Sequence, residues 1–166
     1  MTDLGMAANA SPELAIELGD DYVATLEINR PPSNHFSPAL ICQIADACDE
    51  LAADARCRAV VLCSAGRIFC AGADFSDAHA IGTPDGSHLY DFAIRIFEQP
   101  LPIVAAIQGA AIGGGLGLAM AADFRVAAPE ARSTRTTRST SSTFVPKATD
   151  LPSGESATWV RLDAER

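Results

Sequence analysis

Two glycine-bearing segments are where the backbone of this sequence could itself do chemistry. Ile68-Phe69-Cys70-Ala71-Gly72-Ala73-Asp74 follows an apolar run, and Gly109-Ala110-Ala111-Ile112-Gly113-Gly114-Gly115-Leu116-Gly117 follows another and leads into a third. A helix that starts in the second segment presents unpaired N–H groups and the positive end of its dipole, a site suited to negative charge. Glycines lack Cβ, so a carbonyl group can approach Gly113–Gly115 closely. A second free amide from the Gly72–Asp74 turn, facing the first, would complete an oxyanion hole. Composition alone leaves a second explanation open, that the glycines only permit tight helix–strand packing.

Phosphate-binding loops do not fit these segments. A dinucleotide fingerprint needs G-x-G-x-x-G, but the sixth position is Leu118 counted from Gly113 and Met120 counted from Gly115. A P-loop needs Gly-Lys-Ser/Thr, and the only lysine is Lys147. Cys42, Cys48, Cys57, Cys63 and Cys70 are odd in number and include no Cys-x-x-Cys pair, which excludes a complete disulfide framework and a zinc knuckle. They read as reduced, mostly buried thiols in a cytoplasmic protein.

The elements that must position these segments are legible from periodicity. Leu14–Leu18 and Tyr22–Ile28 are β-type runs around a Gly19-Asp20-Asp21 turn. Ser37-Pro38 supplies an N-cap and a first-turn proline for a helix whose apolar face is Leu40, Ile41, Ile44, Ala47, Cys48 and Leu51. Asp46, Asp49, Glu50 and Asp54 are expected on its solvated side. Arg58–Ser64 suits a buried strand, Leu89–Phe97 a helix, Pro102–Ile107 a buried strand, about Gly115–Ala122 a buried helix and Phe124–Ala127 a last short strand. The order β-β-α-β-loop-α-β-α-β predicts an α/β layered fold with right-handed crossovers.

The 166 residues carry 12 Lys+Arg and 21 Asp+Glu, a net charge of −9. An acidic chain repels nucleic acid and anionic membrane, so neither is expected as a partner. Leu101–Ala122 has no charged residue, yet five glycines and Pro102 argue against a membrane-spanning helix. The N-terminus lacks the basic run and apolar core of a secretory signal. Charge divides unevenly: residues 1–131 net −11 and residues 132–166 net +2. Arg132–Thr143 contains only Arg, Ser and Thr, so it has nothing to bury and is expected to be an irregular arm.

Asn29-Arg30-Pro31, Phe69-Cys70-Ala71-Gly72-Ala73-Asp74 and Gly109…Gly113-Gly114-Gly115…Leu118-Ala119…Asp123 occur in this order and spacing. Together they resemble the enoyl-CoA hydratase/isomerase (crotonase) superfamily of fatty-acid and acyl-CoA metabolism. The resemblance covers roughly residues 13–131, taken as an acyl-CoA-binding core, with 132–166 an unrelated tail. It implies a ββα spiral, incomplete at the C-terminus. It also implies an acyl-CoA thioester as partner, with coenzyme A part of the substrate and no separate cofactor. By motif position the oxyanion donors would be the N–H groups of Ala73 and Gly114. Substrate-binding positions would be Asn34, His35, Phe36, Ala71, Gly72, Asp74, Phe75 and Gly113.

Departures from the family pattern concern the acid/base groups. Hydratases of the family place a glutamate where this chain has Gly117, and a second one in a region that here follows Ala131. Hydration needs a proton donor and a water-activating base, and neither is assigned. The alternative is an acyl-CoA-binding protein without turnover. Asp77, His79, Asp85 and His88 are candidate replacements; Arg30 and Arg67 are candidates to meet the CoA phosphates. Family members run longer and assemble as trimers or hexamers through a C-terminal region. The resemblance ends near Ala131, so self-assembly is not expected, and a reading-frame shift near codon 132 would account for the Arg/Ser/Thr arm.

Overall fold

The computed structural model describes residues 11–74 and 88–133. Phe75, Asp77, His79 and Asp85, and the arm and tail beyond Ser133, lie outside the described residues.

Strand β1 (Leu14–Leu18) pairs antiparallel with β2 (Val23–Ile28) around the expected turn, where Gly19 N–H donates to Val23 O at 2.9 Å. Along β2, Ala24, Leu26 and Ile28 are buried and their neighbours are not, the alternation of a strand with one core-facing side. Helix α1 (Pro38–Ala53) opens as the sequence predicts: Ser37 Oγ accepts the Leu40 N–H at 3.3 Å and Pro38 fills the first turn. Its buried face contains every apolar residue expected there.

Strand β3 (Ala59–Ser64) runs parallel to β2; then come helix α2 (Leu89–Phe97) and strand β4 (Ile103–Ile107), parallel to β3. The two-residue strand β5 (Ala110–Ala111) precedes helix α3 (Gly114–Ala121), which starts one residue earlier than expected. Strand β6 (Phe124–Ala127) closes the five-stranded sheet in the order β1-β2-β3-β4-β6. A final strand, β7 (Arg132–Ser133), pairs parallel with β5. The expected irregular arm therefore begins within a backbone pairing: a two-residue ladder needs backbone groups within reach, not apolar side chains, so hydropathy does not announce it.

One core joins the inner face of the sheet to α1, with Leu26, Leu40, Ile44, Leu51, Leu62 and Phe69 all fully enclosed. Each such side chain contributes about 1.5–3 kcal/mol by leaving water. Helix α2 lies across α1, fastened by Arg95, whose guanidinium meets Asp46 Oδ1 at 2.7 Å and also Asp49. These two acids, expected on a solvated face, form an interhelical clasp. At the far end Asp123 Oδ2 accepts the Ile103 N–H at 2.9 Å, and buried Arg125 donates to Ala122 O at 2.7 Å, beyond the last turn of α3. No helix of the described residues is long and apolar enough to cross a membrane.

Candidate active site

The two glycine segments meet in a parallel pairing centred on Cys70 and Ala111. Cys70 N–H donates to Ala110 O at 3.1 Å and Ile112 N–H donates to Cys70 O at 2.9 Å. Ala73 and Gly114 each lie three residues beyond that pair, so the segments deliver them together. Gly72 and Gly113 make the intervening turns with φ of +95° and +55°, the left-handed region that glycine enters without strain. Gly115 permits the close approach itself: a Cβ there would lie 2.2 Å from Cys70 O.

Both expected donors are available. Phe36 pairs with Ala73 so that Phe36 N–H reaches Gly72 O at 3.0 Å and Asp74 N–H reaches Phe36 O at 2.8 Å. In a parallel pairing of this kind the N–H of the central residue, Ala73, points away from its partner. Gly114 is the first residue of α3, where an N–H has no intrahelical acceptor. Neither N–H has a hydrogen-bond partner among the described residues.

Ala73 and Gly114 line a cavity of about 390 Å³, a size that takes a small organic group. Phe36 forms the wall beside Gly114, Leu89, Ala93 and Phe97 of α2 form another, and Gly117, Leu118 and Ala121 of α3 a third. Among the described lining residues only Tyr90 has an ionisable side chain, and none is a carboxylate or an imidazole.

The remaining site residues predicted from sequence divide. Gly72, Gly113 and Phe36 reach the cavity. Asn34 does not: it is fully buried, accepts the Arg30 N–H at 2.9 Å, and donates to Ala65 O and Ile68 O at 2.7 Å each. It ties two loops together behind the site. His35 and Asp74 line a separate hollow of about 310 Å³ with Arg30, Pro31, Pro32 and Ser33. Ala71 lines neither hollow, its N–H given to Ser33 O at 3.0 Å, and Phe75 is outside the described residues.

Arg30, considered as a phosphate contact, is engaged within the protein. Its Nε lies 3.1 Å from Glu13 Oε1, Nη1 donates to His35 O at 2.6 Å and Nη2 reaches Asp74 Oδ2 at 3.4 Å. His88, considered as an acid or base, instead caps α2, its Nδ1 accepting the Tyr90 N–H at 3.4 Å while its own N–H donates to Asp91 Oδ2 at 2.8 Å. Burial pushes the Cys70 thiol up and the Cys48 thiol to about 12, so these sulfurs stay protonated and poorly nucleophilic. The residues that sequence reasoning missed are the α2 wall, Leu89, Ala93 and Phe97. Their helical spacing signalled a buried face, but not that the face borders a cavity.

The chain is similar to known proteins over most of its described length. The family model described as enoyl-CoA hydratase/isomerase matches residues 19–148. A Bacillus subtilis protein described as "Probable enoyl-CoA hydratase" is 39% identical over 118 residues, which cover 68% of this chain and 46% of that one. A counterpart in Mycobacterium bovis is 43% identical over 113 residues, covering 67% and 45%. The crystal structure of an enoyl-CoA hydratase/isomerase from Pseudoalteromonas atlantica superposes with a TM-score of 0.66 at 33% identity, covering 73% of this chain and 49% of that one. The chain spans about half the length of the curated relatives it matches.

Proposed function

The chain belongs to the enoyl-CoA hydratase/isomerase family and has its α/β crotonase fold, and from that premise we propose that it binds an acyl-CoA thioester through the thioester carbonyl. The observation that carries the reading is the pair of N–H groups, Ala73 and Gly114, that have no partner among the described residues and lie on the wall of one apolar cavity. Two fixed donors in a water-poor hollow hold a carbonyl oxygen and hold it more tightly as charge builds on it. The oxygen so stabilised is that of the enolate formed when a proton leaves the carbon next to the thioester. Coenzyme A arrives as part of the substrate, and the reading needs no further cofactor. Buried, protonated thiols suit the reducing cytoplasm.

Isomerisation moves one proton away from and back to the acyl chain, so a single acid/base group suffices. Hydration needs a base for water and a proton donor. The described cavity wall supplies no carboxylate and no imidazole, which favours a second reading: binding and polarisation without turnover. Mixing the full chain with crotonyl-CoA, and separately with 3-butenoyl-CoA, separates the two. Loss of the enoyl-thioester absorbance supports a hydratase, gain of that absorbance from 3-butenoyl-CoA supports an isomerase, and saturable binding with neither change supports the binding protein. Absence of binding contradicts both.

A further inference from the structure

Gly117 is the glycine of the second segment that no contact or backbone angle explains. Gly113 has a positive φ. A Cβ at Gly109 would lie 1.8 Å from Arg67 O, one at Gly115 would lie 2.2 Å from Cys70 O, and one at Gly114 would lie 2.5 Å from the Phe36 ring. Among the described residues, a Cβ at Gly117 would meet nothing within 4 Å. The residue sits inside α3, where glycine is a poor helix former, and it borders the cavity. Local structure would therefore be better served by alanine, and what glycine provides at this position is space in the cavity.

The location of that space is defined. Gly117 follows Gly114 by three residues on α3, so the two share a face about 5–6 Å apart. Because Gly114 and Gly117 line the same cavity, the first carbons of an acyl chain whose carbonyl oxygen sits on the Gly114 N–H and which runs along α3 would pass Gly117. The surroundings there, Leu118, Ala121 and Ala93, are apolar.

We propose that Gly117 determines acyl specificity by leaving room for a branch beside the thioester, so that the preferred ligands are acyl thioesters substituted at the second or third carbon. This rests on the acyl-thioester reading above. The test is calorimetric titration of the full chain with isobutyryl-CoA, acetyl-CoA and free CoA, repeated for Gly117→Ala and Gly117→Val, with thermal melts to confirm folding. Isobutyryl-CoA is expected to lose about threefold in affinity with Ala and at least tenfold with Val, while acetyl-CoA and free CoA change less than twofold. Gly117→Ala violates no contact among the described residues, so it keeps the test decisive if Gly117→Val does not fold. Equal affinities for all three ligands across the variants, or equal losses for all three, overturn the role of Gly117 and leave the acyl-thioester reading intact. Failure of the unaltered chain to bind either acyl thioester any more tightly than free CoA overturns both.

Discussion

The two hollows share a strand pairing but treat their hydrogen-bond donors in opposite ways. Phe36 and Ala73 face the apolar cavity, while their neighbours His35 and Asp74 line the polar hollow around Arg30. In the polar hollow Arg30 is bound by Glu13, the His35 carbonyl and Asp74. In the apolar cavity two backbone donors are left without partners among the described residues. A hollow full of charged side chains looks the more functional on paper. Here Arg30 is matched within the protein, and the donors left without a described partner, which a bound ligand would satisfy, lie in the other hollow.

The contrast can be broken most severely at the glycine that lets the two segments meet. Gly115→Ala drives a Cβ into Cys70 O, a backbone atom that cannot swing aside. It should cost about 3 kcal/mol, read as a lower urea midpoint, and should abolish acyl-thioester binding as well. Asn34→Ala removes the buried clamp between loops, leaving Arg30 N–H and Ala65 O without it. About 2 kcal/mol of stability should go, while the molecules still folded bind acyl thioesters normally. Gly114→Pro should show the reverse pattern. Proline suits the first helical position, so the melting temperature holds once the Phe36 ring end moves aside. Affinity for the thioester falls about tenfold, near the value of one net hydrogen bond. If Asn34→Ala weakens binding as much as Gly114→Pro does, the distinction between clamp and site is wrong.

Smaller effects concern the charged groups. Arg30→Met should lower stability by about 1 kcal/mol, since its ion pairs are partly exposed. It should leave the salt dependence of CoA-thioester binding unchanged, whereas a phosphate-binding arginine would flatten it. The Arg95 clasp should show in acid. Hydrogen bonding from Arg95 holds the Asp49 carboxyl below its ordinary 3.8. A carboxyl with a lowered folded value stabilises the fold above the ordinary value and loses that contribution as pH falls through the lowered one. Melts of the parent and Arg95→Met should therefore differ by about 0.5 kcal/mol at pH 6, with the gap narrowing below pH 4.

Much of the fold was legible because its signals are local. The Ser37-Pro38 cap, the alternation in β2 and the apolar face of α1 each follow from neighbours in sequence. The meeting of the two glycine segments follows from their recognisable spacing, and Ala73 and Gly114 share a cavity wall. What was not legible depends on atoms far apart in the chain. Asn34 looks like a ligand-binding amide until Ala65 O and Ile68 O are seen to receive both its protons. Asp46 and Asp49 look solvated until α2 brings Arg95 across. The Arg132–Ser133 strand has no side-chain pattern and exists because the chain returns beside Ala110–Ala111. Glycine itself is ambiguous: Gly115 answers to a backbone oxygen, whereas a Cβ at Gly117 would meet nothing within 4 Å among the described residues.

Two backbone amides would act on a bound thioester by polarising its carbonyl. Isotope-edited infrared spectroscopy reads that bond directly, with butyryl-CoA labelled by carbon-13 at the thioester carbon and bound to the full chain. The carbonyl stretch should move to lower frequency than in water, because two fixed donors draw electron density onto the oxygen, and should move back toward the aqueous value in Gly114→Pro. A bound thioester whose stretch matches or exceeds the aqueous frequency would contradict the assignment of Ala73 and Gly114 as the carbonyl site.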